Sequence, residues 1–165
     1  YNVLRWTSSP NPPFGGYGPS FTNPRTGEIL GADIMLEWIY LTNRVRYSEI
    51  FENQENRTND FCHNSLIKQE NRIFGKLATE ALDLNENEIS RLYEEDLYQL
   101  ILHEVGHTLG LNHNFAASTL HNNSDVHNPE ITYKEGLSSS VMDYHALNIA
   151  PIGVEQGQYL SLIHI

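Results

Sequence analysis

Apolar residues at helical spacing run through the stretch that also holds the chain's most closely spaced histidines. These apolar positions repeat at intervals of three or four residues: Leu97, Leu100, Ile101, Val105 and Leu109. The period predicts a buried helix from about residue 92 to residue 109. Three carboxylates, Glu94, Glu95 and Asp96, then fall in its early turns, where negative charge suits the positive end of the helix dipole.

Strands are predicted near the start of the chain. Residues 2–6 form a short strand, and residues 20–22 and 28–38 form the arms of a hairpin. The turn between the arms contains Pro24, whose ring fixes φ at a value suited to turns, and Gly27, which can take a positive φ. Proline and glycine at 11–13 and 15–18 predict a loop before the hairpin.

The middle of the chain is polar and then becomes amphipathic. Residues 47–65 are rich in asparagine and predict a loop. From residue 66 to residue 82 apolar side chains return at helical spacing and predict an amphipathic helix ahead of the histidine-containing helix.

One motif lies at the end of the predicted buried helix: His103-Glu104-Val105-Gly106-His107-Thr108-Leu109-Gly110-Leu111-Asn112-His113. It fills every fixed position of the H-E-x-x-H-x-x-G-x-x-H pattern of zinc proteases. His103 and His107 are one turn apart on one helix face, so both imidazoles can bind one metal at about 2.0–2.1 Å. Gly110 can take a positive φ, which ends the helix and brings His113 round as a third nitrogen ligand.

The residues between these histidines also indicate a catalytic site. Glu104 lies beside the first ligand but is rotated away from the metal axis, where it can hold and deprotonate a metal-activated water. Three protein ligands leave a fourth position for that water, whereas a structural zinc usually has four protein ligands. A purely structural metal module is therefore the weaker alternative. Gly106 has no side chain, so a neighbouring backbone can approach the helix there.

A second segment, Ser139-Ser140-Val141-Met142-Asp143-Tyr144, follows the third histidine. With the long histidine motif, it resembles the metzincin clan of zinc endopeptidases, which carry a methionine-containing turn beneath the metal. The resemblance implies that Met142 is the Met-turn residue, an apolar floor for the three histidines. It also implies that Tyr144, as in astacin-like and serralysin-like members, is a further zinc ligand that swings away to hydrogen-bond the tetrahedral intermediate.

Two more segments resemble one bacterial branch, the large zinc-dependent proteases whose domain is called Met-zincin. Residues 23–29 are similar to its D-P-R-T-G-E-I segment, with Asn23 in place of the aspartate, and residues 113–118 to its H-N-F-x-A-S segment. Asn112 stands where that branch is expected to have an arginine, so a partner of the arginine does not carry over to this chain, whereas the zinc ligands do. In metzincins the edge strand above the cleft precedes such a turn. Residues 17–22 are therefore expected to pair antiparallel with substrate backbone, or else to be an ordinary hairpin arm.

Composition narrows the classes of partner. The formal net charge of −11 speaks against nucleic acid and anionic membranes. No apolar run approaches membrane-spanning length. The single cysteine, Cys62, excludes an internal disulfide and a cysteine-rich zinc site. His121 and His127 lie in a polar loop and are expected to be solvated, and a calcium site at Asp125 and Glu130 has no EF-hand-like spacing to support it.

Both ends of the chain look incomplete. It opens on Tyr1, and its last six residues, Leu-Ser-Leu-Ile-His-Ile, match the translation of a transposon adapter used in sequencing libraries. We expect an incomplete metzincin-type catalytic domain over 1–159 and a non-native scar over 160–165, with an ordinary hydrophobic strand as the alternative. His164 is accordingly excluded as a ligand. The resemblance implies a secreted or periplasmic protein, although no signal peptide is visible.

These observations predict a zincin-like α/β (α+β) domain with a mixed twisted sheet, an active-site helix and a Met-turn. The expected function is a zinc-dependent endopeptidase that hydrolyses internal bonds of peptide or protein substrates, with one catalytic Zn²⁺ and Glu104 as the base. The alternative is a catalytically inactive zincin-fold module for binding or adhesion, against which the intact Glu104 argues. Cleavage specificity and oligomeric state do not follow from the sequence.

Overall fold

The computed structural model describes residues 2–9, 14–38 and 85–161, together with four helical positions between 74 and 81. The predicted loop over 47–65 and Cys62 lie outside the described residues. So does most of the predicted helix over 66–82, although its described members, Phe74, Leu77, Ala78 and Ala81, are helical.

A mixed four-stranded sheet forms the N-terminal part of the fold. β1 (Asn2–Thr7) runs parallel to β4 (Ile29–Glu37), whereas β2 (Gly16–Tyr17) and β3 (Ser20–Thr22) run antiparallel to β4 along its other side. The mixed sheet is as predicted. The loop predicted over 15–18 is wrong in part, because Gly16 and Tyr17 pair with Leu36 and Met35 as a short strand.

The predicted hairpin turn connects β3 to β4. Asn23 O accepts hydrogen bonds from Gly27 N at 2.8 Å and from Thr26 N at 3.3 Å, and the Asn23 side chain accepts one from Arg25 N at 2.9 Å. Gly27 has a φ of 74°, in the region that favours glycine. The asparagine that replaces the branch's aspartate thus still closes the turn with a side-chain oxygen.

One long helix, α1 (Glu86–Thr108), carries the histidine motif. It begins six residues before the predicted start, where the Asn85 side chain accepts hydrogen bonds from Asn87 N and Glu88 N as an N-cap. The acidic residues of its first turn are therefore Glu86 and Glu88, so the prediction that residues 94–96 face the helix dipole is wrong. The helix ends at Thr108, and the predicted buried position Leu109 is 68% exposed.

Two hydrophobic clusters hold α1. Half-buried Leu97, Ile101 and Val105 pack with Leu100 against β4, where Ile34 and Leu36 are buried. Nearer its start, Leu92 packs with a second apolar group: Leu147, Ile149, Tyr159 and Leu160. Helix and sheet are thus joined at one end of α1, and helix and C-terminal segment at the other.

Polar contacts fix that C-terminal segment against the helix. Glu95 Oε2 accepts hydrogen bonds from Tyr159 N at 2.6 Å and Leu160 N at 3.1 Å. Ser161 is buried, and its hydroxyl accepts hydrogen bonds from Leu137 N at 3.1 Å and Ser138 N at 3.3 Å. The adapter interpretation of residues 160–165 stays a prediction, and residues 162–165 lie outside the described part of the chain.

A short helix, α2 (Pro129–Glu135), lies between the histidine motif and the Met-turn segment. Asn128 caps it by accepting a hydrogen bond from Glu130 N. In the part of the chain that is described, no helix combines the length and apolarity needed to cross a membrane. Helices on a mixed sheet, with α1 packed along β4, give the α+β, zincin-like fold that the sequence predicts.

Candidate active site

Three histidines converge at the C-terminal end of α1. His103 and His107 share one face of the helix, and Gly110, with a φ of 87°, turns the chain so that His113 returns to them. One nitrogen from each ring lies within 4.8 Å of the others. His107 Nε2 and His113 Nε2 are 3.1 Å apart. The turn predicted at Gly110 is confirmed.

Carbonyl partners fix the tautomers of the first two rings. His103 Nδ1 donates to Val141 O at 2.7 Å, and His107 Nδ1 donates to Leu111 O at 3.0 Å. A neutral imidazole that donates from Nδ1 carries a lone pair on Nε2, which is the form that binds a metal. The backbone therefore orients both ring nitrogens as electron-pair donors.

The third ring completes a donor set suited to zinc. Tyr144 OH lies 2.7 Å from His113 Nε2, the ring nitrogen that faces His107 Nε2. Burial lowers the pKa of His113, with a further contribution from the neighbouring His107, which keeps the ring in its neutral, ligand form. Nitrogens bound to a tetrahedral zinc at about 2.0–2.1 Å lie about 3.3 Å apart. The 3.1 Å separation of two ring nitrogens fits that geometry.

Met142 forms the floor of this cluster. Its side chain is buried, and its sulfur occupies the space that a Cβ on Gly106 would need. The sequence predicted that a neighbouring backbone would approach Gly106. That prediction is wrong in detail, since a methionine side chain fills the gap. A flexible, polarizable thioether beneath the rings is the packing expected of a Met-turn.

Backbone hydrogen bonds join the Met-turn to the segment after His113. Asn114 N donates to Met142 O at 3.0 Å, and Ser139 N donates to Ala117 O at 3.1 Å. The third histidine and the tyrosine therefore belong to two segments that are bonded together, although 31 residues separate them in the chain.

Glu104 is buried beneath the edge strand formed by β2 and β3. A Cβ on Gly16 would lie 2.9 Å from Glu104 Oε1, and a Cβ on Gly18 would lie 2.6 Å from Glu104 O. The edge strand can approach α1 this closely only because both positions are glycine. Sequence reasoning missed this contact, since it treated the glycines of residues 15–18 as loop residues.

Phe115 adds an exposed aromatic ring beside the cluster. Its ring centroid lies 5.7 Å from that of His113 and 5.4 Å from that of Tyr144, and the side chain is 64% exposed. Phe115 lies within residues 113–118, for which the sequence indicates only a family resemblance. Its place next to the site follows from the turn after Gly110, which periodicity does not encode.

The remaining candidate ligands lie elsewhere. His121 and His127 are half-buried rather than solvated, and His121 Nε2 donates to Gly136 O at 2.7 Å. Asp125 accepts from Asn122 Nδ2 at 2.8 Å. Across the described ranges, the three motif histidines are the group of three or more ligand-type side chains close enough to share a metal. A calcium site stays without support.

Comparison with known proteins agrees with this site. Residues 85–165 match the family model described as Met-zincin. No curated protein and no solved structure matched the chain significantly. The matched region holds α1, the three histidines and Met142, and it supports a zinc-metalloprotease-like function. The match to the Met-zincin family thus supports a metzincin-type domain over residues 85–165.

Proposed function

We propose that this protein is a zinc-dependent endopeptidase that hydrolyses internal peptide bonds. One observation carries the proposal: His107 Nε2 and His113 Nε2 lie 3.1 Å apart, and the Tyr144 hydroxyl lies 2.7 Å from His113 Nε2. A metal bound by these histidines would polarise the scissile carbonyl, and the phenol beside it can donate a hydrogen bond to the oxygen that becomes negatively charged. Amide hydrolysis needs both kinds of stabilisation.

His103, His107 and His113 would hold the metal. When bound, zinc polarises the scissile carbonyl and acidifies a water molecule. The carbonyls of Val141 and Leu111 keep the first two rings in the ligand tautomer, which lowers the cost of organising the site.

Glu104 is the proposed general base. It follows His103 on α1 but is not a member of the three-nitrogen cluster. Its carboxylate accepts a proton from the attacking water and passes it to the leaving nitrogen. Burial under the edge strand keeps bulk water away from that proton.

Tyr144 is the proposed oxyanion donor. Its hydroxyl already points at the metal-binding nitrogen of His113. A phenol at that position can donate to the oxygen of the tetrahedral intermediate, and a donor of this kind is typically worth about 3–4 kcal/mol in the transition state.

The edge strand is the proposed site for substrate backbone. β2 and β3 bond to β4 on one side, and no further described strand pairs along their other side. An extended peptide could add there as an antiparallel strand, directly above Glu104. An ordinary hairpin arm is the alternative.

The test compares zinc content and cleavage of casein in the wild type, Glu104→Ala and Glu94→Ala. Glu94 is an exposed glutamate on the same helix and serves as the control. We expect Glu104→Ala to keep its zinc and lose cleavage, whereas Glu94→Ala keeps both. A wild-type chain that binds zinc yet cleaves nothing in a diverse peptide library would favour the non-catalytic binding module.

A further inference from the structure

Asp143 is a buried carboxylate inside the Met-turn segment, between Met142 and Tyr144. It is 4% exposed. Its Oδ2 accepts a hydrogen bond from Ser118 N at 2.6 Å, and its Oδ1 accepts one from Tyr144 N at 2.7 Å. Such short bonds to an acidic group are the strong, charge-assisted kind, and they offset the cost of burying the group.

The bond from Ser118 joins the two segments that complete the site, and the bond from Tyr144 is local to the Met-turn segment. Ser118 lies five residues after His113, and the phenol of Tyr144 lies 2.7 Å from His113 Nε2. The backbone bond from Asn114 N to Met142 O runs beside them at 3.0 Å. The Asp143 side chain therefore connects the segment that follows His113 to the backbone of Tyr144.

A tyrosine ring has two side-chain torsions, so its direction depends on how firmly its backbone is held. The Tyr144 ring lies 4.5 Å from the His113 ring, centroid to centroid, and its hydroxyl lies 2.7 Å from His113 Nε2. We propose that Asp143 is a positioning residue, whose carboxylate holds the backbone at Tyr144 so that the phenol faces the metal site. The inference rests on the proposed role of Tyr144 in catalysis.

A purely structural role and a positioning role for Asp143 predict different effects of the substitution Asp143→Asn. Asparagine has the same shape but only one acceptor oxygen, and its amide group would meet an N–H that it cannot accept from. Asp143→Asn therefore loses one of the two bonds while keeping the volume. Asp125→Asn is the matched control, since Asp125 bonds the side chains of Asn122 and Ser124 in a separate loop.

The kinetic test uses the zinc-loaded chain and a peptide substrate. We expect Asp143→Asn to lower kcat by about tenfold to a hundredfold, with a smaller change in KM and unchanged zinc content. In the Tyr144→Phe background the same substitution should change kcat by less than about twofold, because the phenol it positions is gone. Equal losses in both backgrounds would overturn the proposal.

A second readout needs neither zinc nor activity, so the proposal can fail separately from the proposed function. In protein carrying ring-¹³C tyrosine, the Tyr144 signal is the one missing from Tyr144→Phe. We expect this signal to shift or broaden in Asp143→Asn while the other tyrosine signals, and all signals of Asp125→Asn, stay in place. An unmoved Tyr144 signal would overturn the inference. Loss of the folded spectrum in Asp143→Asn would also overturn it, by assigning the carboxylate to the fold itself.

Discussion

The sulfur of Met142 occupies the space beside Gly106 that the Cβ atom of any other residue would need. Gly106 lies in the turn of α1 between the first two histidines, and Met142 is buried beneath them. The glycine of the long motif and the methionine of the later turn are thus two halves of one packing contact. Substitutions at these two positions should not act independently.

Gly106→Ala should lower the free energy of unfolding by about 1–3 kcal/mol, since the new methyl group overpacks a buried site. In a Met142→Ala background the space is open. There Gly106→Ala should instead stabilise the chain by up to about 1 kcal/mol, because alanine favours a helix over glycine. Urea unfolding of the four variants without metal measures both effects. A loss of similar size in both backgrounds would contradict the contact.

His107→Ala should sharply reduce zinc content, because the remaining nitrogens cannot complete a three-ligand site. Metal analysis should find close to one zinc ion per wild-type chain. His121→Ala is the control, since His121 bonds Gly136 O outside the cluster. Equal zinc content in His107→Ala and wild type would remove the metal assignment.

Tyr144→Phe should lower turnover by roughly two orders of magnitude while changing substrate affinity far less. The ring keeps its packing against His113 and Phe115, so zinc content and stability should stay near wild type. Tyr133→Phe, on the exposed surface of α2, controls for loss of a phenol. Full turnover in Tyr144→Phe would make the tyrosine a packing residue only.

Tyr159→Phe should weaken the dependence of stability on alkaline pH. Burial raises the pKa of Tyr159 well above its ordinary value of 10.0, and the hydrogen bond that it donates to Glu88 raises the pKa further. The phenol therefore ionises more readily in the unfolded chain, so its contribution to stability is full below about pH 10 and is lost as pH rises above it.

Urea unfolding at about pH 8 and about pH 11 measures that loss. The wild type should lose more stability over this interval than Tyr159→Phe. Tyr98→Phe, an exposed tyrosine on the same helix, should behave like the wild type. If Tyr159→Phe and the wild type lose equal stability, the Tyr159–Glu88 contact does not govern the alkaline limit.

Short-range signals made much of this fold predictable. The spacing of the histidines, the glycine turn at Gly110 and the hairpin at Asn23 depend on neighbours within a few residues. The start of α1 was missed because Glu86 and Glu88 show no apolar period, although Asn85 is a good cap residue.

Contacts between distant residues could not be derived in that way. The sequence predicts that Glu95 faces the helix dipole, but its carboxylate accepts hydrogen bonds from backbone N–H groups 64 and 65 residues away. Gly18 was assigned to a loop, but it lies against Glu104. Nothing in the spacing of residues pairs Asp143 with Ser118 N, which donates a hydrogen bond to it from 25 residues away. Local patterns do not encode such pairings, which form only when the segments fold together.

The helix α1 belongs to both hydrophobic clusters, one with β4 and one with the segment around Tyr159. Separating either cluster would expose an apolar face of α1 to solvent. We therefore expect the two ends of α1 to lose their packing together, in one cooperative unfolding event. Amide hydrogens of Tyr159 and Leu160, bonded to Glu95 near the start of α1, should then exchange with solvent more slowly when a metal is bound near its end. Hydrogen exchange beside the start of α1 would thereby report metal binding at the C-terminal end of the same helix.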